Sequence, residues 1–324
     1  MTDQLPLHHH QPKASRIIYG AMGLGGGWNN NPVCQNDIQQ ANDVIDTCLA
    51  QGINTFDHAD IYTLGKAEQA FGEVIKQRPD LKDQLIIQSK CGIRFEDEHG
   101  PKRYDFSKQW IAQSVENILT RLNIEQLDIL LLHRPDPLAD MDEIAEVISQ
   151  LKHQGKIKHL GVSNMNHAQI NLLQQATSQQ VICNQLELSL QHHAWLEETV
   201  TSGCSGQVPV NFASNTIEYC RLNNIQIQSW GSLAQGLFSG RDIQNQPANI
   251  HATTELVSAL AAEYQVAKEA IVLAWLMKHP ANIQPVIGTT NSERIIACAQ
   301  ANSISLSREH WYALYVSARG HELP

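Results

Sequence analysis

The chain has 324 residues, 42% of them hydrophobic and only 17% charged, below the roughly 25% charged that is usual for soluble proteins; with 31 Gln and 21 Asn, uncharged amides cover surface that charges would otherwise hold. Ample apolar content with few charges argues against disorder, and 33 acidic against 23 basic residues, a net charge of −10, exclude a general nucleic-acid or anionic-membrane binder while leaving room for a local phosphate pocket. Seven cysteines, an odd number with no CxxC, read as reduced thiols; with no leader pattern and no run near 18 apolar residues, the expectation is a cytoplasmic chain with no membrane or nucleic-acid partner.

Residues 1–14 are polar and include the run His8, His9 and His10, which reads as flexible surface rather than a metal site. From Arg16 onward, short apolar runs alternate with longer amphipathic segments, the pattern of repeated βα units and a parallel sheet. The runs predict eight strands, at Arg16–Ala21, Ile53–Phe56, Leu85–Gln88, Leu127–Leu132, Ile157–Val162, Val181–Leu186, Ile225–Ser229 and Gln284–Ile287. Helices are predicted at Gln35–Ala50, Gly65–Gln77, Lys108–Leu122, Met141–Lys152, Ala168–Thr177, Phe212–Asn223, Ala267–Lys278 and Ser292–Ala299.

Ser107, Asn166 and the pair Thr290 and Glu293 supply helix-start signals. Gly52, Gly155 and Asn224 suit the left-handed residue at a helix end. Length alone suggests about two domains. Eight βα units without a dividing linker instead predict one domain over residues 1–324, a (β/α)₈ TIM barrel whose active site lies at the C-terminal ends of the strands. Residues 305–324 read as a C-terminal helix and tail. Loops at Gly23–Pro32, Arg94–Asp105, His192–Val210 and Gln235–Asn249 should surround the mouth. The GLGGG run at Gly23–Gly27 lacks the GxGxxG pattern and reads as a flexible loop, with Trp28 a candidate pocket wall.

If the strands converge on one mouth, their ends present Asp57 and Tyr62, then Lys90, then His133. A phenol has a pKa of about 10 and is a poor proton donor near neutrality, whereas a nearby ammonium lowers it. Lys90 can supply that charge, Asp57 can fix the lysine, and His133 can orient a carbonyl or share the proton. Such a group protonates an oxygen as hydride reaches carbon, with no metal required. A third arrangement, a metal-dependent hydrolase using His58, Asp60 and His133, lacks an HxH at a strand end.

The segments GINTFDHADIYTLGKAEQAFGEVI, IIQSKCG, LDILLLHRPDP, GKIKHLGVSN, NQLELS, WGSLAQG and IGTTNSERI occur in this order along nearly the whole chain. They resemble the aldo/keto reductase superfamily, and the SKCGI, LLHRPDP and GHELP segments resemble its bacterial YdhF-like oxidoreductases. The resemblance implies a catalytic tetrad of Asp57, Tyr62, Lys90 and His133, with Tyr62 the general acid in NADPH-dependent reduction of aldehydes and ketones. It further implies that Ser163, Asn164 and Gln185 hold the nicotinamide carboxamide and that Trp230 stacks on the ring. Ser232 and Leu233 would meet the pyrophosphate, with Gly231 and Gly236 in the same segment also at the cofactor.

Gly288, Thr289, Thr290 and Arg294 would hold the adenosine 2′-phosphate, at a helix N-terminus that favours an anion and beside an arginine that binds phosphate in bidentate fashion. Two departures bear on the choice of NADPH over NADH: many members carry lysine at Gly288, and Asn or Glu at Cys298. His58 also replaces a threonine common in relatives. The resemblance implies a monomer or weak oligomer acting on a small-molecule carbonyl substrate. A different class, an NADP-binding redox sensor with little turnover, would have no need of the acid.

Overall fold

The computed structural model describes residues 4–204 and 210–324; residues 1–3 of the tail and 205–209 of the segment read as a loop lie outside the described residues. Among the described residues ten strands form: β1 Ile18–Gly20, β2 Thr55–Asp57, β3 Ile86–Cys91, β4 Ile93–Arg94, β5 Arg103–Tyr104, β6 Leu127–Leu132, β7 Ile157–Ser163, β8 Val181–Glu187, β9 Gln226–Trp230 and β10 Gln284–Ile287. Leaving out the hairpin of β4 and β5, the others close into a barrel in sequence order, every pair parallel and β10 returning to β1. This is the (β/α)₈ barrel that the alternation predicts.

The helices are α1 Gln35–Ala50, α2 Lys66–Gln77, α3 Lys108–Leu122, α4 Met141–His153, α5 His167–Thr177, α6 Ala194–Val200, α7 Thr216–Leu222, α8 Ala248–Tyr264, α9 Lys268–Met277, α10 Ser292–Ala299 and α11 Arg308–Arg319. Ser107 caps α3 by accepting from Trp110 N at 3.3 Å. Asn166 and Gln169 cap α5 reciprocally, each side chain bonded to the other's main-chain N–H at 3.0 Å. The cap of α10 is Asn291 rather than Thr290: its short amide folds back to Arg294 N at 3.0 Å, satisfying one of the orphan donors of the first turn. Gly52, Gly155 and Asn224 take φ of 71°, 72° and 53° after α1, α4 and α7, reversing the chain into the next strand.

Outward strand residues such as Leu130, Leu132 and Val162 pack beneath Ile118, Val147 and Ile170 of the helices in one continuous apolar core. Helices α2 and α3 touch most closely at Gly72, where a Cβ would lie 1.9 Å from the Arg121 carbonyl oxygen; any side chain there would force the pair apart. Besides the hairpin of β4 and β5, which falls in the segment read as a loop, two helices escaped the sequence reading. Helix α8 is rich in Ala and Leu on most sides, so its periodicity carries little contrast. Helix α6 is only seven residues long.

Of the tail expected to be flexible, the described residues 4–14 are packed. Pro6–His9 form one 3₁₀ turn, and Leu5 and Leu7 join Ile86, Ile129, Leu131, Ile182 and Cys183 in a second apolar cluster that floors the barrel. Leu7 N donates to Gln226 Oε1 at 3.4 Å, and a His8 ring nitrogen pairs with Ala14 O at 2.9 Å. An open-ended barrel exposes its interior at both ends, and burying two leucines there closes one of them.

The other terminus folds back along the barrel. Arg319 Nε contacts both oxygens of Glu197 at 2.9 and 3.0 Å, and Tyr315 OH donates to the same carboxylate at 2.7 Å. The indoles of Trp275 and Trp311 stack with centroids 5.4 Å apart. All seven cysteines are free, and no helix among the described residues is long and apolar enough to cross a membrane. Leu7→Ala should cost about 2–4 kcal/mol in denaturant unfolding, as for other buried leucines; a loss below about 0.5 kcal/mol would mean that the floor is not load-sharing.

Candidate active site

Side chains alternate along a strand with period two. On β3 this sets Gln88 and Lys90 facing the barrel axis, one above the other. Asp57 at the end of β2, Gln185 on β8 and Gln228 on β9 meet them there, and His133 follows β6 directly. The parallel register aligns Lys90 with Leu131 and Cys91 with Leu132, so His133 rises just beyond the strand mouth, its N–H donating to Cys91 O at 2.9 Å.

Lys90 has no exposure to solvent. Its ammonium donates to Asp57 Oδ2 at 2.7 Å, to the His58 carbonyl at 2.9 Å and to the Tyr62 hydroxyl at 3.0 Å. These three acceptors match the three N–H bonds that a lysine carries. Tyr62 arrives on a turn in which Thr63 and Leu64 take φ of 47° and 62°, a strained conformation for residues with a Cβ. The imidazole of His133 lies 6.2 Å from the Tyr62 ring, nearly perpendicular to it. The structure thus brings Asp57, Tyr62, Lys90 and His133 together.

Burial opposes the charge on Lys90, but Asp57 and Tyr62 together outweigh it and hold the ammonium above the ordinary lysine pKa. Tyr62 differs from the sequence expectation. Burial pushes its phenol up, and the pull of Lys90 and Arg134 in the other direction does not overcome it. The group is therefore a firmly protonated phenol, because desolvation of a phenolate costs more here than one shared ammonium returns. Burial and the charges of Lys90, Arg134 and Lys102 hold His133 well below the ordinary histidine value, so its imidazole is neutral.

The other oxygen of Asp57 leads to two residues that the sequence reading passed over, Gln88 and Gln228, packed with Gln185, which it had given to the nicotinamide. Asp57 Oδ1 accepts from Gln88 Nε2 at 2.6 Å and Gln185 Nε2 at 3.0 Å. Both amides also donate to Gln228 Oε1, at 2.9 and 3.1 Å, and Gln228 returns a bond to Gln88 Oε1 at 2.9 Å. Three glutamines thus form a closed amide layer under the carboxylate. Their strand alternation was the available signal.

On the far side of the mouth, Ser163 Oγ donates to Gln185 O at 3.0 Å and Asn164 Nδ2 to Ser163 Oγ at 2.7 Å. Trp230 Nε1 donates to Asn164 Oδ1 at 3.0 Å, and the Arg134 guanidinium lies 5.4 Å from the Trp230 ring. Ser163, Asn164, Gln185 and Trp230 therefore share one hydrogen-bonded chain. Gly231 and Gly236, at φ of 66° and 79°, bracket a tight turn containing Ser232 and Leu233. Ser232 is buried, and its hydroxyl donates to Ser229 O at 2.7 Å, so that hydroxyl is turned into the protein.

Arg294 spans the corner beside that turn: a Cβ on Gly236 would sit 3.1 Å from its terminal nitrogen. Gly288 is exposed, and a Cβ there would meet only Gly20 O, at 3.9 Å. Thr289 Oγ1 accepts from Asn291 N at 3.2 Å, and Thr290 lies against Gly23. One residue in this corner was not foreseen: Glu269 of α9, with Oε1 3.6 Å from Arg294 Nε.

Behind the tetrad, His58 is fully buried against Phe71, with ring centroids 4.5 Å apart and no hydrogen bond to either ring nitrogen. Burial depresses it to about 3. Burial and nearby Glu68 raise Asp60 to about 7. Among the described residues no group of three His, Cys, Asp or Glu side chains is placed to hold a metal ion, so His58, Asp60 and His133 do not assemble as the hydrolase arrangement requires. The glycine loop is tied down by Lys66, whose ammonium donates to Gly27 O at 2.7 Å, leaving Trp28 half exposed. A cavity of about 1000 Å³ opens beside the mouth, lined by Arg134, Asn164, Leu186, His192, Trp195 and Phe212 among others.

The aldo/keto reductase family model matches residues 16–315. The chain is 35% identical over 314 residues to a 6-dehydroglucose reductase of Agrobacterium fabrum, covering 95% of this chain and 96% of the relative. It is 30% identical over 327 residues to the oxidoreductase YdhF of Escherichia coli, with full coverage of both. The fold superposes on the glycerol dehydrogenase AKR11B4 of Gluconobacter oxydans with a TM-score of 0.76 at 23% identity, covering 95% of this chain and 92% of that one. A parallel eight-stranded barrel with a lysine, an aspartate, a tyrosine and a histidine at its mouth, matched along its whole length, is a member of the aldo/keto reductase family.

Proposed function

We propose that the protein reduces the carbonyl group of small aldehydes or ketones to the alcohol with a nicotinamide dinucleotide, NADPH or NADH, Tyr62 serving as the proton donor. The observation that carries this reading is the Tyr62 hydroxyl 3.0 Å from an ammonium that is itself 2.7 Å from Asp57, at the open end of a barrel. The Agrobacterium fabrum relative is a 6-dehydroglucose reductase, an activity of the same class.

The residues present fit such a cofactor by the chemistry of their donors. The turn between Gly231 and Gly236 offers main chain at close approach, Arg294 offers a cation beside it, and Gly288 leaves open space. Asn164 Oδ1 and the oxygen of Gln185 retain accepting capacity for an amide. We assign the carboxamide to Ser163, Asn164 and Gln185, the ring to Trp230 and the pyrophosphate to the main chain of Gly231, Ser232, Leu233 and Gly236. The adenosine end falls to Gly288, Thr289, Thr290 and Arg294. When bound, the nicotinamide supplies hydride to the carbonyl carbon.

The chain's own residues handle the proton. Tyr62 enters the reaction neutral and donates its O–H to the carbonyl oxygen as negative charge gathers there. Lys90 stands ready for the phenolate that results, since an ammonium 3.0 Å away stabilises the anion more than the neutral phenol. Asp57 keeps Lys90 charged and in place. Neutral His133, beside the phenol, offers a hydrogen bond that orients the carbonyl without competing as an acid.

Tyr62→Phe should lower turnover with a small aldehyde by about 10² to 10⁴ while cofactor binding, followed by tryptophan fluorescence, changes less than about twofold; normal turnover in that variant would sink the mechanism. The raised phenol pKa sets the pH dependence. The donor is present below its pKa and lost as pH rises through it, so reduction should stay level from about pH 6 to about pH 9, the range below an ordinary phenol pKa. Alcohol oxidation needs the phenolate and should climb across the same range. A reduction rate that falls below pH 8 would contradict Tyr62 as donor.

A further inference from the structure

The corner assigned to the adenosine end contains two opposed charges contributed by different helices. Arg294 comes from the first turn of α10, and Glu269 from the first turn of α9, its Oε1 3.6 Å from Arg294 Nε. The arginine side chain is 46% exposed, while that of the glutamate is 11% exposed. Burial raises the thiol pKa of Cys298, the residue that replaces an adenine-contacting Asn or Glu of many relatives, with Glu269 adding to the rise and Arg294 opposing it. The two side chains therefore border one space, which also adjoins the Gly236 turn.

We propose that Glu269 reads the 2′ position of the adenosine ribose, opposing Arg294, so that the site accepts NADH and NADPH with little discrimination. A carboxylate is an acceptor only. A ribose 2′-hydroxyl can donate to it, which is how acidic residues select the unphosphorylated dinucleotide in other nucleotide-binding folds. A 2′-phosphate brings a second anion next to a carboxylate that is too enclosed to be screened by water. Arg294 favours the phosphate, but part of its charge is already committed to Glu269. Gly288 adds no cation where a lysine would tip the balance.

This assignment rests on the cofactor placement proposed above, and the test separates the two. The probes are ADP-ribose and 2′-phospho-ADP-ribose, titrated calorimetrically so that no turnover is needed. The wild-type protein should bind both within about tenfold of each other. Glu269→Gln, nearly isosteric, should tighten 2′-phospho-ADP-ribose by about tenfold and leave ADP-ribose unchanged or weaker. Arg294→Met should weaken the phosphorylated probe by about tenfold with little effect on the other.

If both probes bind and Glu269→Gln leaves their ratio unchanged, the role of Glu269 is overturned while the cofactor site stands. A wild-type preference above about 100-fold for the phosphorylated probe overturns it without any variant, even if Glu269→Gln fails to fold. If neither probe binds, the cofactor placement fails and the role of Glu269 with it.

Discussion

A lysine ammonium shut away from water is the constraint around which this protein is arranged. Moving such a charge out of solvent costs several kcal/mol even after the protein relaxes around it, and the cost is met only if every N–H finds an acceptor. Asp57, the His58 carbonyl and Tyr62 supply those acceptors. Each is delivered by the same short stretch at and after the end of β2, so the register between β2 and β3 decides whether the charge is satisfied. A slip of one residue would turn Lys90 outward into the helix layer and leave Asp57 buried alone.

The carboxylate that answers the lysine needs support in turn. Its free oxygen is held by Gln88 and Gln185, and those are locked by Gln228 across the barrel. The floor of Leu5 and Leu7 closes the barrel below this layer, keeping the polar middle from becoming a water channel. Stability and chemistry are therefore carried by one stack: apolar floor, amide layer, ion pair, then phenol and imidazole at the rim.

Much of this was legible in the sequence. The strands from Leu127 and from Gln284 end where the apolar runs end, because a parallel strand covered on both faces must be continuously apolar. The four residues of the proposed tetrad could be picked out because Asp57, Lys90 and His133 stand at or just past predicted strand ends, with Tyr62 five residues after Asp57, in segments that resemble the family. The amide layer could not, because a glutamine alternating with apolar residues usually marks a solvent-facing side, whereas here both faces are buried and the axis is the polar one. Glu269 escaped for another reason: it meets Arg294 only through the packing of α9 on α10. The pull of Lys90 on Tyr62 was read with the right sign, but burial outweighs it and the net shift is upward, because sequence shows which charges are neighbours and not how far water is excluded. Net charge was equally blind to the pocket, since −10 overall coexists with cations at Lys90, Arg134 and Arg294 around the mouth.

The amide layer has one more property. Glutamine side chains carry large dipoles and no exchangeable charge at any pH the protein meets, so the dipoles facing Asp57 neither appear nor vanish as conditions change. Gln88 and Gln228 are tethered at both ends of their amides and Gln185 through two bonds from its nitrogen, which leaves little freedom to reorient when the charge above them moves. The base of the site thus behaves as a rigid dielectric with a fixed polarisation. Charge can shift between phenol and ammonium without a compensating rearrangement beneath them, and the proton traffic is confined to the rim, where substrate arrives.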